Sequence, residues 1–305
     1  MKIAIYHGFY NLHFEMLGYV FEYFKTNNML LEIDIYCYIN IFSYEWWSFY
    51  NKIFNVKLKW YNPALYYSQS IVELYNYVFL MTDDDYSLQI NEKIDTKIIS
   101  IEHIDYTRNN NAFIRIGTRF FVNRPNLNWA IPCFKAINQN DKLLLLQNQN
   151  KINVLIVGKN QPKSIKDLID LFKNYNDINF HLVNRELLSD FDNNDNIFLY
   201  NDCLTSIMLD LFSKSHYVLC FDKENINHYI KQAISGAIHL GFTFGCKLIL
   251  PESWNFFYNF KSSLSYSFNK DPLTLTQDTN LDLIFNEQLE LINHRNLVFD
   301  KALNI

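Results

Sequence analysis

Short apolar runs alternate with amphipathic stretches of helical length along the whole chain, in two successive series that each open on an apolar run ending in glycine. The first series opens Ile3-Ala4-Ile5-Tyr6-His7-Gly8, and the second Ile152-Asn153-Val154-Leu155-Ile156-Val157-Gly158. A strand buried on both faces needs a near-continuous apolar run, and a parallel partner needs a crossover, so this alternation specifies parallel sheets covered by helices. In the first half the pattern predicts strands near 2–6, 32–38, 56–60, 76–81 and 97–102, with another within 112–121. Leu12, Met16, Leu17, Val20, Phe21 and Phe24 recur at helical spacing between the first two strands, giving a βαβ opening. Trp129-Ala130-Ile131-Pro132 reads as the exit from this half, and the Gln- and Asn-rich stretch 138–151 as a linker.

In the second half the pattern predicts strands near 178–183, 197–200, 216–221 and 247–250, and helices near 164–173, 204–214, 229–245 and 253–260. Residues 281–303 are helical in pattern, without a place that periodicity alone assigns. The expected fold class is therefore α/β, with two Rossmann-like domains facing a cleft, 1–140 and 141–305. A chain of 305 residues, 49% of them hydrophobic, is long enough for both.

Composition removes several function classes. The 27 Lys and Arg against 32 Asp and Glu leave a net charge of −5 without a basic block, so nucleic acid is not an expected partner. Phe (26) and Tyr (21) are abundant, but with recurrent Asn, Ile and Lys they form a bias that an AT-rich genome would give without functional selection, and they carry no weight as evidence for stacking. Trp46, Trp47 and Trp60 are open to two readings, packing or stacking on an acceptor sugar. The five scattered cysteines contain no C-x-x-C pair and read as reduced thiols, which gives a cytoplasmic expectation. The first apolar run is too short for a signal segment, and no window approaches 18 uninterrupted apolar residues, so no membrane span is expected. There is no G-x-G-x-x-G, P-loop, G-x-S-x-G or H-E-x-x-H motif.

The most informative segment runs from Ser235-Gly236-Ala237 through His239 to Gly245, then Cys246-Lys247-Leu248-Ile249-Leu250-Pro251. It reads as a small-residue turn, a helix closed by Gly245, and a short buried strand stopped by proline. Free N–H groups at the helix start form an anion site that Gly236 lets a phosphate approach, and the competing reading is that Ser235 simply caps the helix. Lys159, beside the strand-end Gly158, is placed to pair with a diphosphate as a point charge. Lys163 and Lys166 follow, and a solvated helix start is the favoured reading of both. On the other side, His13 and Glu15 lie in the loop and helix start after the first strand, where either can take a proton from a hydroxyl or serve only as a helix-start residue; His103 and Asp105 occupy a similar place after the strand at 97–102.

The string Ser-Gly-Ala-Ile-His-Leu, followed by Phe-Gly-Cys-Lys-Leu-Ile-Leu-Pro, resembles the donor-domain segment of GT-B glycosyltransferases, and 202–221 is similar to that family's preceding helix and strand. The resemblance implies transfer of a sugar from a nucleoside-diphosphate sugar to a hydroxyl acceptor such as a glycan, with no metal or other cofactor required. It implies donor contacts from Lys159, Ser235, Gly236, Ala237 and His239, and an acceptor site at His13 and Glu15. Many retaining members carry an acidic E-x(7)-E pair here, whereas this chain has Ser235 and Thr243, which leaves the anomeric outcome open. Three alternatives remain: a nucleotide-sugar epimerase on the same architecture, a non-enzymatic relative that binds a glycan or a protein, and a GT-A transferase holding a metal on Asp83 and Asp85 of Asp83-Asp84-Asp85. A strand-ending acidic turn explains that last motif as well.

Overall fold

A computed structural model of the protein describes residues 2–7, 13–27, 32–54, 58–61, 73–81, 97–103, 114–119, 125–158, 161–184, 191, 194–223 and 235–304. Lys159, Asp105 and the Asp83-Asp84-Asp85 motif lie outside these residues. Contacts divide the chain into two units, one holding Met1–Phe134 with Leu291–Ile305, the other Lys135–Ile230 with Ser235–Glu290.

The first unit carries β1 (Lys2–His7), β2 (Glu32–Cys37), β3 (Leu58–Tyr61), β4 (Tyr77–Met81), β5 (Lys97–Glu102) and β6 (Ile114–Gly117). They form one sheet in the order β3-β2-β1-β4-β5-β6, with every pair parallel. Ile3, Ala4 and Ile5 are wholly buried, as a central strand covered on both faces must be. A 3-10 turn at Phe14–Met16 precedes α1 (Gly18–Thr26), so the helix predicted from residue 12 starts later. The helix α2 (Ile41–Phe54) is held at its start by a reciprocal pair: the Ser43 N–H donates to Asn40 Oδ1 and the Asn40 N–H to Ser43 Oγ. Trp46, Tyr50 and Phe54, four residues apart, are buried, and Trp46 stacks on Tyr50, so packing accounts for Trp46.

The second unit repeats the design. Its strands β7 (Ile152–Val157), β8 (Ile178–Asn184), β9 (Ile197–Asn201), β10 (Tyr217–Leu219), β11 (Lys247–Pro251) and β12 (Leu264–Tyr266) form a parallel sheet in the order β12-β11-β10-β7-β8-β9. Its helices among the described residues are α3 (Gln139–Gln147), α4 (Ile165–Ile169), α5 (Thr205–Lys214), α6 (Gly236–Thr243), α7 (Glu252–Tyr258) and α8 (Leu281–Leu303). Val154, Ile156, Phe180, Leu182 and Leu219 lie at the centre of its core. The stretch predicted as a linker contains α3, whose Lys142 is fully buried and donates to the carbonyls of Phe212, Ser213 and Ser215 at the end of α5. The first turns of α8 belong to this unit, and the helix from Leu291 onward belongs to the first. No helix among the described residues is long and apolar enough to cross a membrane.

In both sheets the chain builds one half outward from a central strand, then returns to the centre and builds the other half. The order reverses between β1 and β4 and again between β7 and β10. Ligands of open parallel sheets bind outside the carboxyl ends of the strands at such reversals, because the connecting loops diverge there and leave a crevice.

Candidate functional site

At the first reversal, β1 ends in His7, which is fully buried and stacked on Phe14 at 4.3 Å between centroids. Burial and then the neighbouring His13 push its pKa down to about 4, so His7 is a neutral imidazole at pH 7. His13 adopts a left-handed backbone with φ of 64°, a conformation that costs a non-glycine residue roughly 1–2 kcal/mol. Its Nδ1 lies 3.5 Å from Glu15 Oε1, and its ring centroid 4.4 Å from that of His103, which directly follows β5. Glu102, at the end of β5, pairs with Arg115 of β6 at 3.1 Å. His13 and Glu15 thus form one cluster with His103, some way along the chain from both, at the carboxyl edge of the first sheet. A histidine beside a carboxylate can accept a proton and have the resulting cation stabilised.

At the second reversal, β7 is followed by Gly158, with φ of +116° and, among the described residues, nothing within 4 Å of the position a Cβ would take. Only glycine holds that conformation without strain. The Gln161 amide nitrogen donates to the carbonyls of Gly158 (3.1 Å) and Val183 (2.6 Å), joining the ends of β7 and β8. Ser164 and Asp167 form a reciprocal capping box at the start of α4, as the Ser-x-x-Asp spacing allows. Asp167 also pairs with Lys223, just beyond β10. Burial alone would raise the Asp167 pKa, but the Lys223 ammonium and the N–H groups of Lys163 and Ser164 hold it below the usual carboxylate range. Lys163 and Lys166 are both exposed.

The helix α6 connects the parallel strands β10 and β11 and packs on both, so its N-terminus lies at the same carboxyl edge. Ser235 precedes it in an extended conformation and makes no side-chain cap hydrogen bond, so the capping reading of Ser235 does not hold. Ser235 and Gly236 are half-buried, while Ala237 and His239 are packed inside. Gly245, φ +63°, ends the helix as the sequence predicts. Sequence reasoning missed Gln161, Asp167 and Lys223. The signals were the capping box and the Asp222-Lys223 pair directly after an apolar strand. Among the described residues no group of three His, Cys, Asp or Glu is arranged to hold a metal ion.

No protein-family model and no curated protein matches this chain. Solved structures resemble it along nearly its whole length. A glycosyltransferase from Rickettsia africae is 11% identical with a TM-score of 0.53, over 99% of this chain and 97% of that one. Anabaena HepE, in complex with UDP and glucose, is 9% identical with a TM-score of 0.52, over 99% and 95%. The UDP-GlcNAc 2-epimerase of Methanocaldococcus jannaschii is 10% identical with a TM-score of 0.52, over 96% and 93%. Identities this low speak to the fold, and by that measure the chain has the two Rossmann-like parallel-sheet domains of the GT-B proteins.

Proposed function

We propose that this chain is a glycosyltransferase that moves a sugar from a nucleoside-diphosphate sugar to a hydroxyl acceptor without a metal ion. The donor would bind the second unit and the acceptor the first, following a domain boundary near residue 140 with the end of α8 returned to the first unit. The carrying observation is the carboxyl edge of the second sheet at its reversal, where no described residue crowds Gly158 and α6 starts without a side-chain cap. Backbone N–H groups and a helix dipole there favour a diphosphate. Ser235, Gly236 and Ala237 are assigned to it, with Lys159 as the pairing charge and His239 supporting the helix from inside. The whole-chain likeness to HepE, which is in complex with UDP and glucose, supports UDP as the first nucleotide to try.

In this reading His13 takes the proton from the acceptor hydroxyl, and Glu15 stabilises the imidazolium that forms. The acceptor oxygen bonds to the anomeric carbon as the bond to the diphosphate oxygen breaks, and the nucleoside diphosphate leaves with its electron pair. Positioning and stabilisation of that leaving charge supply most of the rate. A second reading, nucleotide-sugar epimerisation, is favoured by the equal likeness to the M. jannaschii epimerase.

Incubation with a panel of UDP-, GDP- and ADP-sugars and saccharide acceptors separates the readings. Transfer gives acceptor-dependent release of the diphosphate and a glycosylated product, whereas epimerisation gives a changed sugar still joined to its nucleotide. His13→Asn keeps a residue that tolerates the left-handed backbone, so it should fold and lower kcat by about 10²- to 10⁴-fold. A variant that transfers at the wild-type rate would remove His13 from the mechanism. Absence of turnover and of nucleotide binding would leave a non-enzymatic binding protein of the same fold.

A further inference from the structure

Asp167 and Lys223 belong to the segments that follow β7 and β10, the two strands on either side of the second reversal. Their ion pair therefore spans the crevice in which a phosphate would lie. The carboxylate divides its work: Oδ2 accepts the N–H groups of Lys163 and Ser164 that start α4, and Oδ1 takes the lysine. The two partners are unequal, the Asp167 side chain being 5% exposed and that of Lys223 56%.

The backbone that presents Lys223 is fixed. The Tyr266 hydroxyl donates to the Cys220 carbonyl (3.0 Å) and accepts from the Asp222 N–H (2.8 Å), pinning the chain beyond β10 to β12. Phe268, packed on Phe221 and Tyr266, lies under the ammonium at 5.6 Å. An ammonium has three N–H donors, of which Asp167 takes one. A buried carboxylate at the mouth of a phosphate site repels the ligand unless a cation neutralises it, and here the neutralising cation still has donors to give.

We infer that Lys223 is a phosphate-pairing residue of the second unit, which shares its charge with Asp167 in the absence of ligand, and that its ligand is the diphosphate of a nucleoside diphosphate. The inference rests on the proposed donor site and adds to it a residue for which the chain's pattern gave no role. Arginine at this position retains the charge and the donors, while methionine keeps only the length.

Calorimetric titration with UDP and with uridine tests it, using wild type, Lys223→Met, Lys223→Arg and Asp167→Asn. Lys223→Met should weaken UDP binding about 10- to 100-fold and leave uridine binding unchanged, as loss of one charge-assisted hydrogen bond does. Its affinity should also depend less steeply on salt, and Lys223→Arg should restore most of the loss. Asp167→Asn preserves an oxygen for the α4 cap and frees the lysine, so UDP should bind at least as tightly as to wild type. Equal UDP affinity in wild type and Lys223→Met overturns this inference while leaving the donor site standing. A loss in Asp167→Asn as large as that in Lys223→Met overturns it too, because the pair would then be purely structural. A wild-type protein that binds none of UDP, GDP and ADP overturns both the inference and the donor site beneath it.

Discussion

His7, His181 and His216 are held as neutral imidazoles, each with its pKa pushed down to about 4, first by burial and then, for His7 and His216, by the neighbouring His13 and Lys142 respectively. His216 shows how the structure requires the neutral form, since its Nδ1 accepts the Asn153 N–H at 3.1 Å and a proton there would break that bond. In the unfolded chain the same residues titrate near 6.5. The unfolded state therefore binds protons first as pH falls, and stability is lost from about 6.5 down to about 4, with no contribution above that window. Each group contributes a slope of about 1.4 kcal/mol per pH unit, so the three together approach about 4 kcal/mol per unit. Urea denaturation at pH 7, 6 and 5 should show this fall. His216→Asn, which offers an oxygen to the Asn153 N–H without titrating, should reduce the slope by about a third. An identical slope in that variant would mean His216 takes up its proton while folded.

At the scale of elements, α8 has one buried charge that fixes its end to the first unit. Arg295, with no exposed surface, pairs with Glu22 of α1 at 2.8 Å and donates to the carbonyls of Tyr19 and Cys133. Arg295→Ala removes that ion pair and both carbonyl bonds from a site with no exposed surface, so it should cost about 3–5 kcal/mol in unfolding free energy. Arg295→Met with Glu22→Leu should recover much of that loss, because it removes both charges of the pair together. The position of this helix could not be read from its sequence: the 3.6-residue period shows that a helix exists, but Arg295 and Glu22 are 273 residues apart. Strands were legible for the opposite reason, since burial on both faces writes itself into local runs such as 152–157. The helix α2 was missed because Trp, Tyr and Phe favour strands locally, although Trp46, Tyr50 and Phe54 carry the helical period. The three-residue β12 leaves no pattern to detect. Of the candidate sites, the strand-end loops and the small-residue turn at 235–237 were legible, whereas pairs such as His13 with His103 or Asp167 with Lys223 exist only after sheet assembly brings strand ends together.

For the whole molecule, the same helix makes the two units unequal in what they can lose. Before Leu291 its side chains serve the second unit: Gln288 donates to the Phe242 carbonyl, and Glu287 accepts the N–H groups of Lys261 and Ser262. After Leu291 they serve the first, where Phe299 packs on Tyr19, Tyr23 and Phe79, and the Leu303 carbonyl accepts the Lys97 ammonium at 2.7 Å. A chain ended at Glu290 would keep every contact of the first kind and lose every contact of the second. Burial of Phe299 and Leu303 is worth about 1.5–3 kcal/mol each, and the Arg295 pair adds its share, which together consume most of a domain's usual margin of about 5–15 kcal/mol. The truncated chain should therefore have an unfolded first unit beside a folded second one. Tryptophan reports the two separately, because Trp46, Trp47, Trp60 and Trp129 belong to the first unit and Trp254 to the second. Fluorescence of the truncated protein should show exposed indoles, with one residual cooperative transition that Trp254→Phe abolishes. If Trp254 is also exposed, the second unit depends on the first for its fold; if the emission stays that of the full chain, the first unit's sheet with α1 and α2 suffices without the closing helix.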